Sequence, residues 1–138
     1  MAARRSFHLP VRVYWEDTDG GGVVYYANYL KFMERARSEW LRSLGIDQAG
    51  LARDERIQFA VVEANVRYRQ PAKYDDLLDV SAAVESWRGA SVTFLQEIRR
   101  GAGGALLAAA TIRAACLDAD SLRPRPLPPQ LLEELARE

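Results

Sequence analysis

The chain has very few of the residues that cross-link proteins or bind metals. Its 138 residues include one cysteine and one histidine. A single cysteine cannot form an internal disulfide, and a single histidine excludes the usual multi-histidine zinc sites. We therefore expect Cys116 to be a small buried hydrophobic residue and His8 to lie on the surface. We also expect function without a metal or a dissociable cofactor.

An excess of charge of one sign is also missing. Nineteen Lys and Arg residues balance nineteen Asp and Glu residues, so the formal net charge at pH 7 is zero. This balance argues against a dominant nucleic-acid-binding surface, although a local basic patch is still compatible with a phosphate-bearing ligand. We expect no nucleic-acid partner.

Long hydrophobic runs are absent as well. No apolar stretch approaches the length of a membrane span, and the basic residues near the start are not followed by the apolar segment of a signal peptide. We expect a cytoplasmic protein with no membrane span. The length and the 49% hydrophobic fraction suit one globular domain, and we assign residues 1–138 to it.

What the sequence does contain is one long amphipathic helix pattern. Apolar residues recur at helical spacing through residues 27–44. They predict an apolar face that packs on a larger surface, for which a sheet is the obvious candidate. The predicted face consists of Leu30, Met33, Ala36, Trp40, Leu41 and Leu44.

Alternating patterns surround this helix and predict strands. The strands fall near residues 7–15, 62–68, 78–88, 92–99 and 106–116, and residues 130–138 suggest a short terminal helix. A strand, a long helix and then consecutive strands joined by short turns predict an α+β fold with an antiparallel sheet.

A glycine turn that carries carboxylates directly precedes the helix. Residues 16–29 read EDTDGGGVVYYANY. A helix that starts there directs free backbone N–H groups at the turn, where they can stabilise an oxyanion beside a carboxylate nucleophile or base. Asp17, Asp19 and the glycines are also typical of an ordinary capped turn. Spacing alone favours that structural interpretation.

Short segments along most of the chain form one ordered pattern: DTD at 17–19, GGVVY at 21–25, ANYL at 27–30, ERAR at 34–37, FAVV at 59–62, Tyr68, PA at 71–72 and DDLL at 75–78. This pattern resembles the 4-hydroxybenzoyl-CoA thioesterase family, and more closely the Tol-Pal-associated acyl-CoA thioesterases of Gram-negative bacteria. The resemblance implies a hotdog fold, in which an antiparallel sheet of about five strands wraps around one long helix. It also implies hydrolysis of acyl-CoA thioesters to free acid and CoA.

The resemblance assigns roles within the glycine turn. Asp19, the second acid of the Asp-x-Asp motif, matches the essential aspartate, which acts as nucleophile or as general base. The backbone N–H of Tyr26 matches the group that polarises the thioester oxygen. Close relatives often have histidine at that position, and we assign the Tyr26 side chain no base role because a phenol titrates far above neutrality. Gly22 would let substrate approach the main chain, and Asn28 would either orient Asp19 or cap the helix.

Two further segments match substrate-binding regions. The residues that line the acyl pocket from the partner subunit in related enzymes correspond to Phe59, Ala60, Val61 and Val62. Ordinary core packing explains these apolar residues equally well. Arg88 matches one basic position of a turn that binds CoA phosphates. Relatives have more basic residues there, where this chain has Gly89 and Ala90.

Assembly and partners follow from the same resemblance. A single helix leaves part of the sheet uncovered and an edge strand exposed, which predicts a homodimer or, by preference, a homotetramer with sites between subunits. The second hypothesis is an interaction module for acyl carrier protein or membrane biogenesis, in which thioesterase activity is incidental.

Overall fold

One long helix and five strands account for most of the fold. The computed structural model describes residues 5–137. The first strand ends at Arg12, earlier than predicted, and Trp15, the last residue predicted for it, begins a short 3-10 turn. In chain order the elements are β1 (Phe7–Arg12), the 3-10 turn (Trp15–Asp17), α1 (Asn28–Ser43), α2 (Gln48–Gly50), a π-helical turn (Leu51–Glu55), β2 (Ile57–Tyr68), β3 (Leu77–Arg88), β4 (Ser91–Arg99), β5 (Leu106–Asp118) and α3 (Pro129–Ala136).

The strands form one antiparallel sheet in the order β1-β3-β4-β5-β2. Strands β3, β4 and β5 are neighbours in both sequence and space, whereas β2 lies at the outer edge beside β5. Val61 pairs with Ala114 and Glu63 with Arg113, so Val62 is an extra residue that forms a β-bulge. The predicted α+β architecture, with five antiparallel strands and one long helix, is confirmed.

Helix α1 packs its apolar face on the sheet, but that face is rotated from the predicted one. Met33, Ala36, Trp40 and Leu41 are buried as expected, whereas Leu30 is 39% exposed. Tyr29 and Phe32 are buried in its place. The Trp40 ring meets Phe94 of β4 edge to face, with 5.5 Å between ring centroids.

Strand β5 faces the helix with small side chains. Alternate residues of the strand are buried, as its period of two predicts. Alanine at three of these positions reduces the bulk between helix and sheet. Cys116 belongs to the same row, is fully buried and has a thiol pKa that burial raises. The buried residues of this row are Ala108, Ala110, Ile112, Ala114 and Cys116.

A polar cluster joins helix to sheet inside this apolar layer. Gln96 of β4 is 1% exposed, and its Nε2 donates to the carbonyls of Met33 at 3.0 Å and Ser81 at 3.1 Å. Its Oε1 accepts a hydrogen bond from Nη1 of Arg37 at 2.8 Å. Burial lowers the pKa of Arg37. Both polar atoms of the buried Gln96 amide therefore have hydrogen-bond partners, which offset the free-energy cost of removing them from water.

The predicted terminal helix is present as α3 and packs through Leu131 and Leu135, which are buried. Glu138, the last residue predicted for it, lies outside the described residues. Within residues 5–137, no helix is both long and apolar enough to cross a membrane.

Candidate active site

The first aspartate of the glycine turn has a structural role. The carboxylate of Asp17 accepts a hydrogen bond from the Tyr14 N–H at 2.8 Å, and the Asp17 N–H donates to the Tyr14 carbonyl at 3.0 Å. These reciprocal bonds close the 3-10 turn. Asp17 therefore has the structural role that spacing suggested for it.

The second aspartate lies exposed in a closed loop. The Asp19 N–H donates to the Val23 carbonyl at 3.0 Å, and Oδ1 accepts from the Gly21 N–H at 2.7 Å. Its other carboxylate oxygen has no hydrogen-bond partner within residues 5–137. One oxygen thus orients the carboxylate and the other is available for chemistry.

The main chain beside Asp19 is open. Gly22 has a φ of +95°, in the left-handed region that glycine tolerates and other residues rarely adopt. A Cβ placed there would meet no atom within 4 Å. The loop is anchored just beyond this point, where the Val24 N–H donates to the Ala72 carbonyl at 2.8 Å. Free space therefore borders the backbone at Gly22, and its contact with substrate is still a prediction.

Helix α1 starts directly after the loop and leaves a donor unused. The Tyr25 N–H donates to the Asp17 carbonyl at 3.0 Å, and the Tyr25 carbonyl accepts from the Asn28 N–H at 2.8 Å. In the described part of the chain, the Tyr26 N–H donates no hydrogen bond. The Tyr26 side chain is 62% exposed. Loop and helix start therefore present a carboxylate oxygen and an unused N–H on one continuous segment.

Asn28 makes neither of its predicted contacts. Its side-chain Nδ2 donates to the Asp17 carbonyl at 2.8 Å, while the N-cap of α1 is Ala27, which has no capping side chain. Asn28 therefore ties the helix start to the 3-10 turn instead of touching the Asp19 carboxylate.

The four apolar residues assigned to the acyl pocket lie at the start of β2. Phe59, Ala60 and Val61 line a cavity of about 180 Å³ between β2 and α1, opposite Arg37 and Trp40. Val62, the bulge residue, is 50% exposed. Helix and strand thus leave an opening there with mostly apolar walls.

Arg88 lies at the end of β3, at the two-residue turn into β4, where it pairs with Ser91. The residue is exposed, and its guanidinium has no hydrogen bond or ion pair with any of residues 5–137. It is therefore available to an anionic ligand.

These residues fall at two ends of the molecule. The aspartate loop is bonded to residues 72–76, just before β3, and Tyr26 is bonded to Tyr68 at the end of β2. Val62 is six residues earlier on β2, or about 20 Å along the strand. Arg88 lies at the far end of β3, roughly 35 Å from its beginning. Val61 also lines a cavity with Leu30 of the first turn of α1, so residues 59–62 lie nearer the loop than Arg88 does. No hydrogen bond within residues 5–137 joins the Asp19 loop to residues 59–62 or to Arg88.

Tyr68 belongs to the matching segments, and the sequence alone predicts no role for it. Its hydroxyl donates to the Tyr26 carbonyl at 3.0 Å, and its ring meets that of Tyr29 at 5.1 Å between centroids. Tyr29 accepts a hydrogen bond from the Ala72 N–H at 2.9 Å through its own hydroxyl. A backbone carbonyl as partner leaves no trace in a sequence, so no pattern signals this contact.

The chain belongs to the Thioesterase-like superfamily, which it matches over residues 13–135. It is 44% identical to the acyl-CoA thioester hydrolase YbgC of Escherichia coli over 93% of this chain and 94% of that one. A probable thioesterase from Bartonella henselae has a TM-score of 0.84 at 35% identity, covering 90% of this chain and 100% of that one.

The resemblance to 4-hydroxybenzoyl-CoA thioesterases extends to the solved structures. The enzyme from Pseudomonas sp. strain CBS-3 has a TM-score of 0.84 at 24% identity, covering 94% of this chain and 98% of that one. At this identity the likeness concerns the fold. The predicted hotdog fold and family are confirmed.

Proposed function

We propose that this protein hydrolyses acyl-CoA thioesters to free acid and CoA, with Asp19 as the catalytic carboxylate. The observation that carries the proposal is the half-used Asp19 carboxylate on a loop that leads into the unused Tyr26 N–H. The proposed enzyme class is supported by relatives of this chain, such as the acyl-CoA thioester hydrolase YbgC of Escherichia coli, to which it is 44% identical.

Two mechanisms use the same carboxylate. In the first, an Asp19 oxygen attacks the thioester carbon, CoA leaves as the thiolate, and water then hydrolyses the mixed anhydride to release the acid. In the second, Asp19 takes a proton from water as the water attacks, and the tetrahedral intermediate expels the thiolate. A thiolate leaves without much help from a general acid, so a site with one carboxylate suffices for either mechanism.

In both mechanisms negative charge develops on the thioester oxygen. We assign its stabilisation to the Tyr26 N–H, which has no internal acceptor among residues 5–137 and lies at the positive end of α1. The open space at Gly22 leaves room for the thioester beside the main chain.

The acyl and CoA groups are proposed to bind across a subunit interface. Strand β2 has an unpaired edge of twelve residues among those described, a hazard that pairing with a second copy removes. Antiparallel pairing about Ala64 would set Ala60 opposite Tyr68 of the partner subunit. Phe59, Ala60, Val61 and Val62 would then line the acyl site beside the partner's Asp19 loop. Arg88 would supply one phosphate contact.

A thiol-release assay tests the proposal. Short, medium, long and aromatic acyl-CoAs are offered with a chelator present, and we expect turnover that the chelator does not reduce. Absence of turnover on every acyl-CoA, or loss of turnover on chelation, would contradict it. Light scattering tests the assembly, for which we expect a dimer or a tetramer, and a monomer at micromolar concentration would refute the shared site.

The sparse charge at the Arg88 turn favours a second candidate. Gly89 and Ala90 leave Arg88 as the only cation of this turn, so an acyl group carried on protein-bound pantetheine fits as well as acyl-CoA. The function would then be interaction with acyl carrier protein in the cytoplasm, associated with the Tol-Pal system. Retention of acyl-loaded carrier protein in a pull-down supports this candidate. Brisk acyl-CoA turnover with no carrier retained would refute it.

A further inference from the structure

We infer that Tyr68 is a positioning residue for the polarising N–H at the start of α1. The Tyr68 hydroxyl donates to the Tyr26 carbonyl at 3.0 Å, although the two residues are 42 positions apart. This is a direct bond from the sheet to the residue that carries the proposed oxyanion donor. The inference rests on the proposed function and deepens it.

The two peptide groups that flank Tyr26 are both held. On the N-terminal side, the Tyr25 carbonyl accepts from the Asn28 N–H at 2.8 Å. Because a trans peptide is planar, the Tyr26 N–H must point the opposite way, out of the helix. On the C-terminal side, the Tyr68 hydroxyl holds the Tyr26 carbonyl. Fixing both peptides restricts the two backbone torsions of Tyr26 and hence the direction of its N–H.

The hydroxyl can donate this bond throughout the physiological range. Desolvation is the main cause that raises the pKa of Tyr68, and the neighbouring Tyr29 and Tyr26 raise it further. The phenol of Tyr68 is therefore protonated at neutral pH, well below its raised pKa. The ring is held independently by edge contacts with Tyr29 and Tyr26, at 5.1 and 6.3 Å between centroids. Hydroxyl and ring therefore have separable roles.

Tyr68→Phe separates them, because it removes the hydroxyl and keeps the ring contacts. We expect kcat on the best acyl-CoA to fall about five- to tenfold, the size of one net hydrogen bond. We expect KM to stay within about twofold, since the loss affects the transition state more than substrate binding. Tyr74→Phe is the matched control, because Tyr74 is 52% exposed against 46% for Tyr68 and its hydroxyl has no partner within residues 5–137.

A spectroscopic signature distinguishes positioning from a merely structural role. In Asp19→Asn protein, the infrared carbonyl band of bound thioester reports how strongly the N–H polarises it. Adding Tyr68→Phe should move that band back toward its position in free substrate, whereas adding Tyr74→Phe should not.

An unchanged kcat, or an unchanged band accompanied by a lower melting temperature, would overturn the inference. If the unmutated protein hydrolyses no acyl-CoA, the proposed function fails first. If the unmutated protein is active and Tyr68→Phe leaves its kcat unchanged, only the inference about Tyr68 fails.

Discussion

The two ends of the sheet differ in how completely one chain builds them. At the loop end, Asp17 closes a turn, Asn28 bonds that turn to the helix, and Tyr68 bonds the helix start to the sheet. At the opposite end, Val62 lies exposed on an unpaired strand edge and Arg88 has no partner among the described residues. One end is organised internally, and the other is open.

This difference separates the proposed chemistry from the proposed recognition. A carboxylate and an N–H that act on a transition state must be held before substrate arrives, which hydrogen bonds within one chain achieve. An acyl pocket on an edge strand gains its remaining wall only when another chain pairs with it. The comparison therefore predicts large kinetic effects at the loop end and effects that depend on assembly at the other.

The largest effect is expected for Asp19→Asn, which should lower kcat at least about a hundredfold. Asparagine keeps an oxygen that can accept the Gly21 N–H, so the loop should persist, whereas nucleophile and base are both lost. Steady-state turnover, melting temperature and oligomer size are the measurements. Asp17→Asn is the control and should cost much less. A more damaging Asp17→Asn would show that the site is assigned to the wrong carboxylate.

Complementation between two variants tests whether the two ends meet across subunits. Ala60→Phe should fill the cavity of about 180 Å³ and abolish most activity. Unfolding and refolding the Ala60→Phe and Asp19→Asn proteins together in equal amounts produces heterodimers. If each site is shared between subunits, one of the two sites in each heterodimer contains neither substitution. Half of a random mixture is heterodimer, so activity should recover to about a quarter of the unmutated level. Two inactive proteins whose mixture stays inactive would place each site within one chain.

A structural variant between the two ends should affect stability rather than kinetics. Gln96→Ala removes the side-chain donor to the carbonyls of Met33 and Ser81 and the acceptor of the Arg37 guanidinium. We expect the free energy of unfolding to drop by about 3 kcal/mol. Urea unfolding measures it. Leu95→Ala is the control, because Leu95 is the neighbouring residue and is 38% exposed. It should lower the free energy of unfolding by less than about 1 kcal/mol. Equal losses would show that the buried amide cluster is not what joins helix to sheet.

The smallest effect is expected at Arg88. Arg88→Ala should raise KM for acyl-CoA about threefold, as for one exposed charge pair, and the increase should shrink at high salt. Acyl-pantetheine lacks the phosphates of CoA, so its KM should not change. An equal change with both substrates would mean that Arg88 does not bind phosphate.

The sequence predicted the helix and strands because their side-chain periods are local. Helix α1 was expected over residues 27–44 and spans Asn28–Ser43. Its inner face was less predictable, because two overlapping apolar stripes fit the same period and only packing selects Tyr29 and Phe32 over Leu30. Strand β2 begins at Ile57, before the predicted start at Val62. The bulge at Val62 shifts the alternation there and hides the earlier residues.

For the candidate site, sequence was informative where neighbours along the chain are also neighbours in space. Asp19, Gly22 and Tyr26 belong to one short segment, and their roles in catalysis stay predictions of the motif. The partner of Asn28 was missed because it is a backbone carbonyl, and every residue has one. The separation of Arg88 from the loop follows from strand lengths and sheet order, which the motif does not encode.

The burial of Cys116 has a practical consequence at the bench. The chain has one cysteine, it is fully buried, and burial raises its thiol pKa, so little reactive thiolate is presented to solvent. A disulfide dye that reports released CoA thiol will therefore meet almost no background from the enzyme itself. Slow colour development without substrate then measures how often the structure around Cys116 opens.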